Sequence, residues 1–292
     1  MSNSAHQNPL FLTTKEVADL LRVKERKVYD LAAADEIPHR RITGKLLFPA
    51  DEIHAWIDGS GQLRSRERPN VLAGSHDPLL DWAIRASECG LATLCNGSRD
   101  GLNQFEAGTA ALAGIHLPES DGWNIETVAG RGFPDAVLIN WATRKRGLLV
   151  SSELADEIHS INDLKGKRVA LRQPGAGTAV LFSNLLANSG LSEDDLACIK
   201  SRAHTESEAA AAVASGEADA SLGIEAMARQ FKLAFVPLAD ECFDLLIDRR
   251  SFFTEPVQRL FSFARTTDFQ EKATKLGGYS LTEHGSIRWL SA

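Results

Sequence analysis

From Val71 onward, short apolar runs alternate with segments of helical apolar period, and this alternation constrains the fold more than any other feature of the chain. "VLAGS" reads as a buried strand, "DPLLDWAIRASEC" as a helix closed by Gly90, "LATLCNGS" as a second strand and "DGLNQFEAG" as a second helix. Further on come "AVLINWA", "GLLVS", "KRVALRQ", the Ala-rich helix around "ESEAAAAVASG", "ADASLGI", "LAFVPL" and "FDLLID". Strands alternating with helices predict a parallel or mixed sheet covered by helices. The stretch "VALRQPGAGTAVLF", Val169 to Phe182, is the sharpest of these junctions: a buried strand, a glycine-rich turn, then the first turns of an apolar helix. Free backbone N–H groups at the positive end of a helix suit an anion.

A chain of 292 residues suffices for one large domain or two. No apolar run approaches the roughly 20 residues of a membrane helix. The polar start "MSNSAHQNPLFLTTKE" carries no basic region followed by an apolar one, so a cytoplasmic location and no membrane partner are expected. The four cysteines, Cys89, Cys95, Cys198 and Cys242, lack C-x-x-C spacing and point to reduced thiols. A formal charge of −7 argues against indiscriminate coating of nucleic acid. Charge is nearly balanced up to Asn70, however, and a local basic patch is compatible with that.

Phe11 to Ile57 reads as a compact unit. Thr13 and Glu16 make an S/T-x-x-E capping box, and Val17, Leu20 and Leu21 give the helix that follows an apolar face. After a turn at Arg22-Val23, a second helix is predicted from about Lys24 to Ala34, burying Val28 and Leu31; Pro38 stops it. "HRRI", "TG" and "KLLF" make a short hairpin, and "PADEIHAWI" starts a third helix with acids in its first turn. This plan is a winged helix-turn-helix. The pattern "LTTKEVADLLRV…VY…EIP…R…GKLLF…EI…W" resembles the excisionase/MerR-like DNA-binding family, which implies double-stranded DNA as a partner. Lys24, Arg26, Lys27 and Tyr29 on the second helix, off the Val28/Leu31 stripe, are the candidates for the major groove. Arg40, Arg41 and Lys45 on the hairpin are the candidates for a wing. Asp30, Asp35 and Glu36 weaken the positive field there.

The polar, basic stretch "DGSGQLRSRERPN" reads as a linker. The expected domains are therefore 1-58 for the winged module, 59-70 for the linker and 71-292 for a ligand-binding domain. In that last part "INDLKGKRVALRQPGAGT" followed by "VASGEADASLGIEAMA" resembles the type II periplasmic-binding-protein fold of oxyanion receptors. With "GSHDPLL", "NGSRDGL", "GIHLP" and "VPLADECFDLLID", it is similar to regulators that join a helix-turn-helix to a molybdate/tungstate-binding-like domain. The fold class expected is thus α/β: an N-terminal winged helix-turn-helix plus a two-lobed type II periplasmic-binding-protein-like domain. Lobe 1 covers about 71-143 and 246-292, lobe 2 about 144-245, with the chain crossing near Trp141 to Leu149 and returning near Glu241 to Ile247.

The resemblance implies a small anionic ligand, molybdate or tungstate, between the lobes and no other cofactor. The residues it implies as ligand contacts are Arg172 and Thr178, with the turn of Gly175 and Gly177, in the second lobe and Ser75 and Ser98 in the first; His76 and Arg99 join them as cationic donors that compensate for Asp77 or suit an organic anion with a carboxylate. Two departures stand out: Ala176 replaces a common Ser, and His76-Asp77 replaces hydroxyl residues. Asp77 repels a divalent oxyanion unless it points away or caps the helix starting at Pro78. Arg172 has a plainer alternative, pairing with a structural carboxylate, and Ser75, Ser98 and Thr178 have another as helix caps. A ligand bearing a carboxylate, or one related to the molybdenum cofactor, is the runner-up; an adaptor that binds no DNA is a further alternative. No enzyme is expected. "GSHD" cannot form a triad from three adjacent residues, and "GAGTAV" lacks the third glycine of a dinucleotide turn. A homo-oligomer, most simply a dimer, is expected because one small module reads few bases.

Overall fold

A computed structural model describes residues 10–57 and 67–291. The chain divides into two compact units between Glu67 and Arg68. Residues 58–66, which carry most of the expected linker, lie outside the described residues.

Among the described residues, the first unit is a three-stranded sheet of order β1-β3-β2 with three helices: β1 (Phe11–Thr13), α1 (Thr14–Leu21), α2 (Glu25–Ala33), β2 (Arg40–Ile42), β3 (Lys45–Pro49) and α3 (Ala50–Ile57). Thr13 and Glu16 form the capping box: the Thr13 N–H donates to Glu16 Oε2 at 2.7 Å, and Glu16 N–H donates to Thr13 Oγ1 at 3.3 Å. Arg22 ends α1 in the left-handed region and so makes the tight turn into α2. Val17, Val28, Ile37, Phe48 and Ile53 form the small core. Leu20, read as part of the apolar face, is instead 43% exposed, whereas Val17 and Leu21 pack on the core as expected. Thr43 and Gly44 both take positive φ, the geometry of a two-residue turn that matches the twist of its strands. Strand β1 is an addition to the sequence reading; it pairs antiparallel to β3.

The second unit continues with β4 (Val71–Gly74), α4 (Pro78–Ala86), β5 (Ala92–Leu94), α5 (Ser98–Glu106), β6 (Leu112–Ile115), the small hairpin β7 (Pro118–Glu119) and β8 (Gly122–Trp123), and α6 (Ile125–Arg131). Then come β9 (Ala136–Val150), β10 (Arg168–Ala170), α7 (Gly177–Asn188), β11 (Ala197–Cys198), α8 (Glu206–Ala214), β12 (Ala220–Ile224), α9 (Glu225–Phe231) and β13 (Ala234–Asp248). It closes with α10 (Arg249–Phe252), α11 (Glu255–Phe263), α12 (Thr267–Leu276), β14 (Tyr279–Ser280) and β15 (Ile287–Leu290).

One mixed sheet runs through the unit in the order β11-β10-β12-β9-β13-β6-β4-β5, with β14 and β15 paired to β9. Its two halves carry separate apolar cores. One gathers Leu72, Leu79, Leu112, Trp141, Phe243 and Phe269; the other gathers Leu148, Ile158, Val169, Phe182, Leu186 and Leu222. Strands β9 and β13 belong to both halves and pair antiparallel along nearly their whole lengths. Sequence reading breaks each of them into two strands, because charges at 144–146 and 240–241 interrupt their apolar runs. In the fold the charges that interrupt them are largely paired with one another, so each strand is a single piece of 15 residues.

Candidate functional site

The sheet brings the strand ends of both halves to one place. Ser75 follows β4, Ser98 opens α5 and His116 follows β6. Ser75 and Ser98 are buried, their hydroxyls 2.8 Å apart, and Ser98 Oγ also accepts the His116 N–H at 3.1 Å. Gly101 of α5 packs directly on Gly74, where a Cβ would stand 2.4 Å from the Gly74 Cα, and this close approach sets the start of that helix, with Ser98, next to Ser75.

On the other half, Arg172 and Thr178 converge on Glu206. Thr178 Oγ1 donates to Glu206 Oε1 at 2.8 Å, and Arg172 Nη1 lies 3.0 Å from the same oxygen. Arg172 also donates to the carbonyls of Ala203 and His204. Between the halves stand two arginines of β9. Period-two alternation puts Arg144 and Arg146 on one face of the strand. Arg144 reaches Asp77 at 2.9 Å and also binds Glu241 of β13. Arg146 donates to Glu206 Oε1 at 2.9 Å, Thr178 Oγ1 at 3.0 Å and Glu241 Oε1 at 2.9 Å. Arg146 Nε is also 2.7 Å from Glu241 Oε2, but its N–H is not directed along that line. His116 Nδ1 lies 2.9 Å from Glu241 Oε2; because the carboxylate only accepts, Nδ1 carries the proton.

These groups form one continuous buried chain, from Asp77 through Arg144, Glu241 and Arg146 to Glu206 and Arg172. Three guanidinium groups meet three carboxylates. Burial acts on Glu206 to raise its pKa, but Arg146 and Arg172 overcome it and bring the carboxyl down to about 2. Glu241 is held well below the ordinary range in the same way, by Arg144 and Arg146 against burial. Burial lowers the His116 pKa despite Glu241, which keeps the imidazole neutral. Burial next to Asp77 raises Tyr279 well above its ordinary value, and its hydroxyl donates to Asp77 Oδ2 at 2.8 Å.

Of the residues named from the sequence, Ser75, Ser98, Arg172 and Thr178 lie in this assembly, with Gly177 against its wall. Gly175 takes φ +92 in the turn before α7. His76 and Arg99 make no hydrogen bond to these groups. His76 is 3.8 Å from Asp81, with a buried Nδ1 that lacks a partner, and Arg99 is exposed. Asp77 caps α4 through the Leu80 N–H at 2.8 Å and pairs with Arg144, so its charge is spent within the protein. Arg144, Arg146, His116, Glu206 and Glu241 were not among the residues named. The alternation of arginines in "ATRKRG" is the one local signal for any of them; Glu206 and Glu241 have none.

The two halves touch closely here. A Cβ on Gly177 would run into the His116 carbonyl oxygen and stand 2.9 Å from its imidazole Cε1 and Nδ1. We expect Gly177→Ala to lose about 1–3 kcal/mol of stability through overpacking, read as a lower midpoint for the second unit in calorimetry. Among the described residues, no group of three or more His, Cys, Asp or Glu is placed to hold a metal ion. Among the same residues, no helix is long and apolar enough to cross a membrane.

In the winged unit, Lys24, Arg26, Lys27, Tyr29, Arg40, Arg41 and Lys45 are all exposed. Arg40 is engaged by Glu52 at 2.8 Å.

Two α/β halves that share two long strands and gather polar strand ends between them define a two-lobed receptor domain of the periplasmic-binding-protein type. The chain belongs to the PBP superfamily, whose domain model matches residues 82–265; a helix-turn-helix domain model matches residues 11–60. The combination fits a DNA-binding regulator with a ligand-binding domain. Over 94% of its length and 96% of the relative's, the chain is 25% identical to the uncharacterized protein YvgK of Bacillus subtilis. Among solved structures, it is similar to the alkanesulfonate-binding protein SsuA from Xanthomonas axonopodis pv. citri, at 19% identity and TM-score 0.44, covering 72% of this chain and 79% of that one. It is also similar to a mutant OxyR from Corynebacterium glutamicum, at 12% identity and TM-score 0.48, covering 90% and 89%.

Proposed function

We propose that this chain is a one-component transcription regulator that works in the cytoplasm as a homo-oligomer, most simply a dimer. Its winged unit binds an operator in double-stranded DNA, and its receptor domain senses a small anion between the lobes. The observation that carries the reading is the convergence of Arg146, Arg172 and the Thr178 hydroxyl on a single point, with the Ser75 and Ser98 hydroxyls on the facing lobe. Hydroxyls and guanidinium forks are the donors that hold a tetrahedral oxyanion, which supports molybdate or tungstate, the ligand the sequence resemblance implies. A second reading, an organic ligand such as a formate-like carboxylate or a molybdenum-cofactor-related compound, is favoured by the charge balance. Three carboxylates already match the three arginines, and such a site suits a single negative charge better than two.

The DNA limb of the proposal is tested by fluorescence anisotropy of labelled upstream DNA titrated with the full chain at rising salt. Lys27→Ala and Arg41→Ala should each weaken binding. The slope of log K against log salt should become shallower by about 1 for each phosphate that is no longer neutralised. Slopes unchanged from the parent would exclude these faces from DNA.

A further inference from the structure

Three buried carboxylates lie in the cleft, and two of them are saturated. Glu241 takes Arg144 and Arg146 on Oε1 and His116 on Oε2. Asp77 takes the Leu80 N–H on Oδ1, and Arg144 and Tyr279 on Oδ2. Glu206 differs. Its Oε1 receives hydrogen bonds from Thr178 at 2.8 Å and Arg146 at 2.9 Å and is ion-paired with Arg172 at 3.0 Å, while its buried Oε2 has no hydrogen-bond partner. A carboxylate fitted for structure shares its donors between both oxygens, and an unserved buried oxygen costs on the order of 1–3 kcal/mol. The lopsided pattern is the one expected where donors serve a ligand oxygen and one oxygen of Glu206 fills its place.

We infer that Glu206 is the resident occupant of the anion subsite: its carboxylate stands where an oxygen of an anionic ligand is bound, and the ligand must displace it. The inference rests on the proposed reading that the cleft takes an anion, and it names the residue that sets affinity and selectivity there. Glu206 is the first residue of α8, so its ejection moves charge away from a helix N-terminus that favours it. The competition lowers affinity for every anion by the strength of the internal pairing. It also favours ligands that offer more than one oxygen to the Arg146, Arg172 and Thr178 donors.

The test is isothermal titration of the full chain, and of its Glu206→Gln, Glu206→Asp and Arg172→Ala variants, with sodium tungstate, sodium molybdate and sodium formate. Glu206→Gln should bind at least one of these anions 10-fold or more tighter than the parent. Glu206→Asp keeps the charge but draws the oxygens back, and should show a smaller gain. Arg172→Ala should lose binding. A gain in Glu206→Gln with none in Glu206→Asp would mean that net charge, not occupancy, governs affinity, and would overturn the inference. Parent binding that needs Arg172 but is unchanged or weakened in both Glu206 variants would leave the anion site standing and remove Glu206 from it. Absence of binding in every variant would overturn both the inference and the anion reading beneath it.

Discussion

Glu241→Ala should be the most damaging single truncation in the receptor domain, with a loss of about 3–5 kcal/mol. Glu241 is fully buried and serves three partners at once: Arg144, Arg146 and His116. Its removal leaves two buried guanidinium groups short of a counter-charge, and the desolvation already imposed on them is no longer offset. For a unit of this size the loss lowers the midpoint by roughly 10 °C, which calorimetry on the full chain reads directly. Asp240, the preceding residue, is the control. It pairs with Lys145 at 2.7 Å on the exposed face of the same strands, so Asp240→Ala should change stability by less than about 1 kcal/mol. Equal effects at 240 and 241 would show that the buried network contributes nothing particular.

The second large effect is on acid stability. The pKa of Glu206 falls from 4.5 to about 2 on folding, and Glu241 moves the same way. A carboxyl depressed in the folded state contributes its full stability above pH 4.5 and loses it as pH falls towards 2. Glu206 alone accounts for a loss on the order of 3 kcal/mol over that interval. Urea unfolding at a series of pH values, followed through the buried Trp141, should give a level free energy only above about pH 7.5, a decline below that as the unfolded chain takes up protons that buried His116 and His284 resist, and a steeper fall below 4.5. The fall should be shallower in Glu206→Gln, since the group no longer titrates. A parent free energy that stays level down to about pH 3 would contradict the depressed values.

Features governed by neighbours in the chain were legible in the sequence. The Thr13/Glu16 cap, the Gly44 turn and the strand-turn-helix at Val169–Phe182 each depend on residues a few positions apart. Arg172, Thr178, Ser75 and Ser98 were named from the resemblance to oxyanion receptors, and the fold gathers them at strand ends and helix starts between the two halves; their role as ligand contacts belongs to the proposed reading. The network was not reachable. Arg146 meets Glu206 from 60 positions away and Glu241 from 95, and a glutamate in either place has the same look as a solvated one. The same charges concealed the continuity of β9 and β13, since a run of apolar residues broken by arginines reads as two strands with a loop between. His76 and Arg99 were named as cationic donors; in the fold His76 lies 3.8 Å from Asp81 and Arg99 is exposed near the start of α5.

Strands β9 and β13 give the receptor domain a joint without slack. Hinges made of loose peptide swing at little elastic expense, whereas here the connection between lobes is a bonded ribbon of two strands, each 15 residues long. Any parting of the lobes has to be absorbed as torsion of that ribbon. The ladder already slips register at two places, between Pro237 and Ala239 and between Phe243 and Asp244, and Glu241 lies between them. The mechanical weak points of the domain thus bracket the residue that ties its charges together. Under the proposed reading, a ligand that redistributes those charges would load the ribbon at these two places, and the stiffness of the ribbon would set how far the lobes travel.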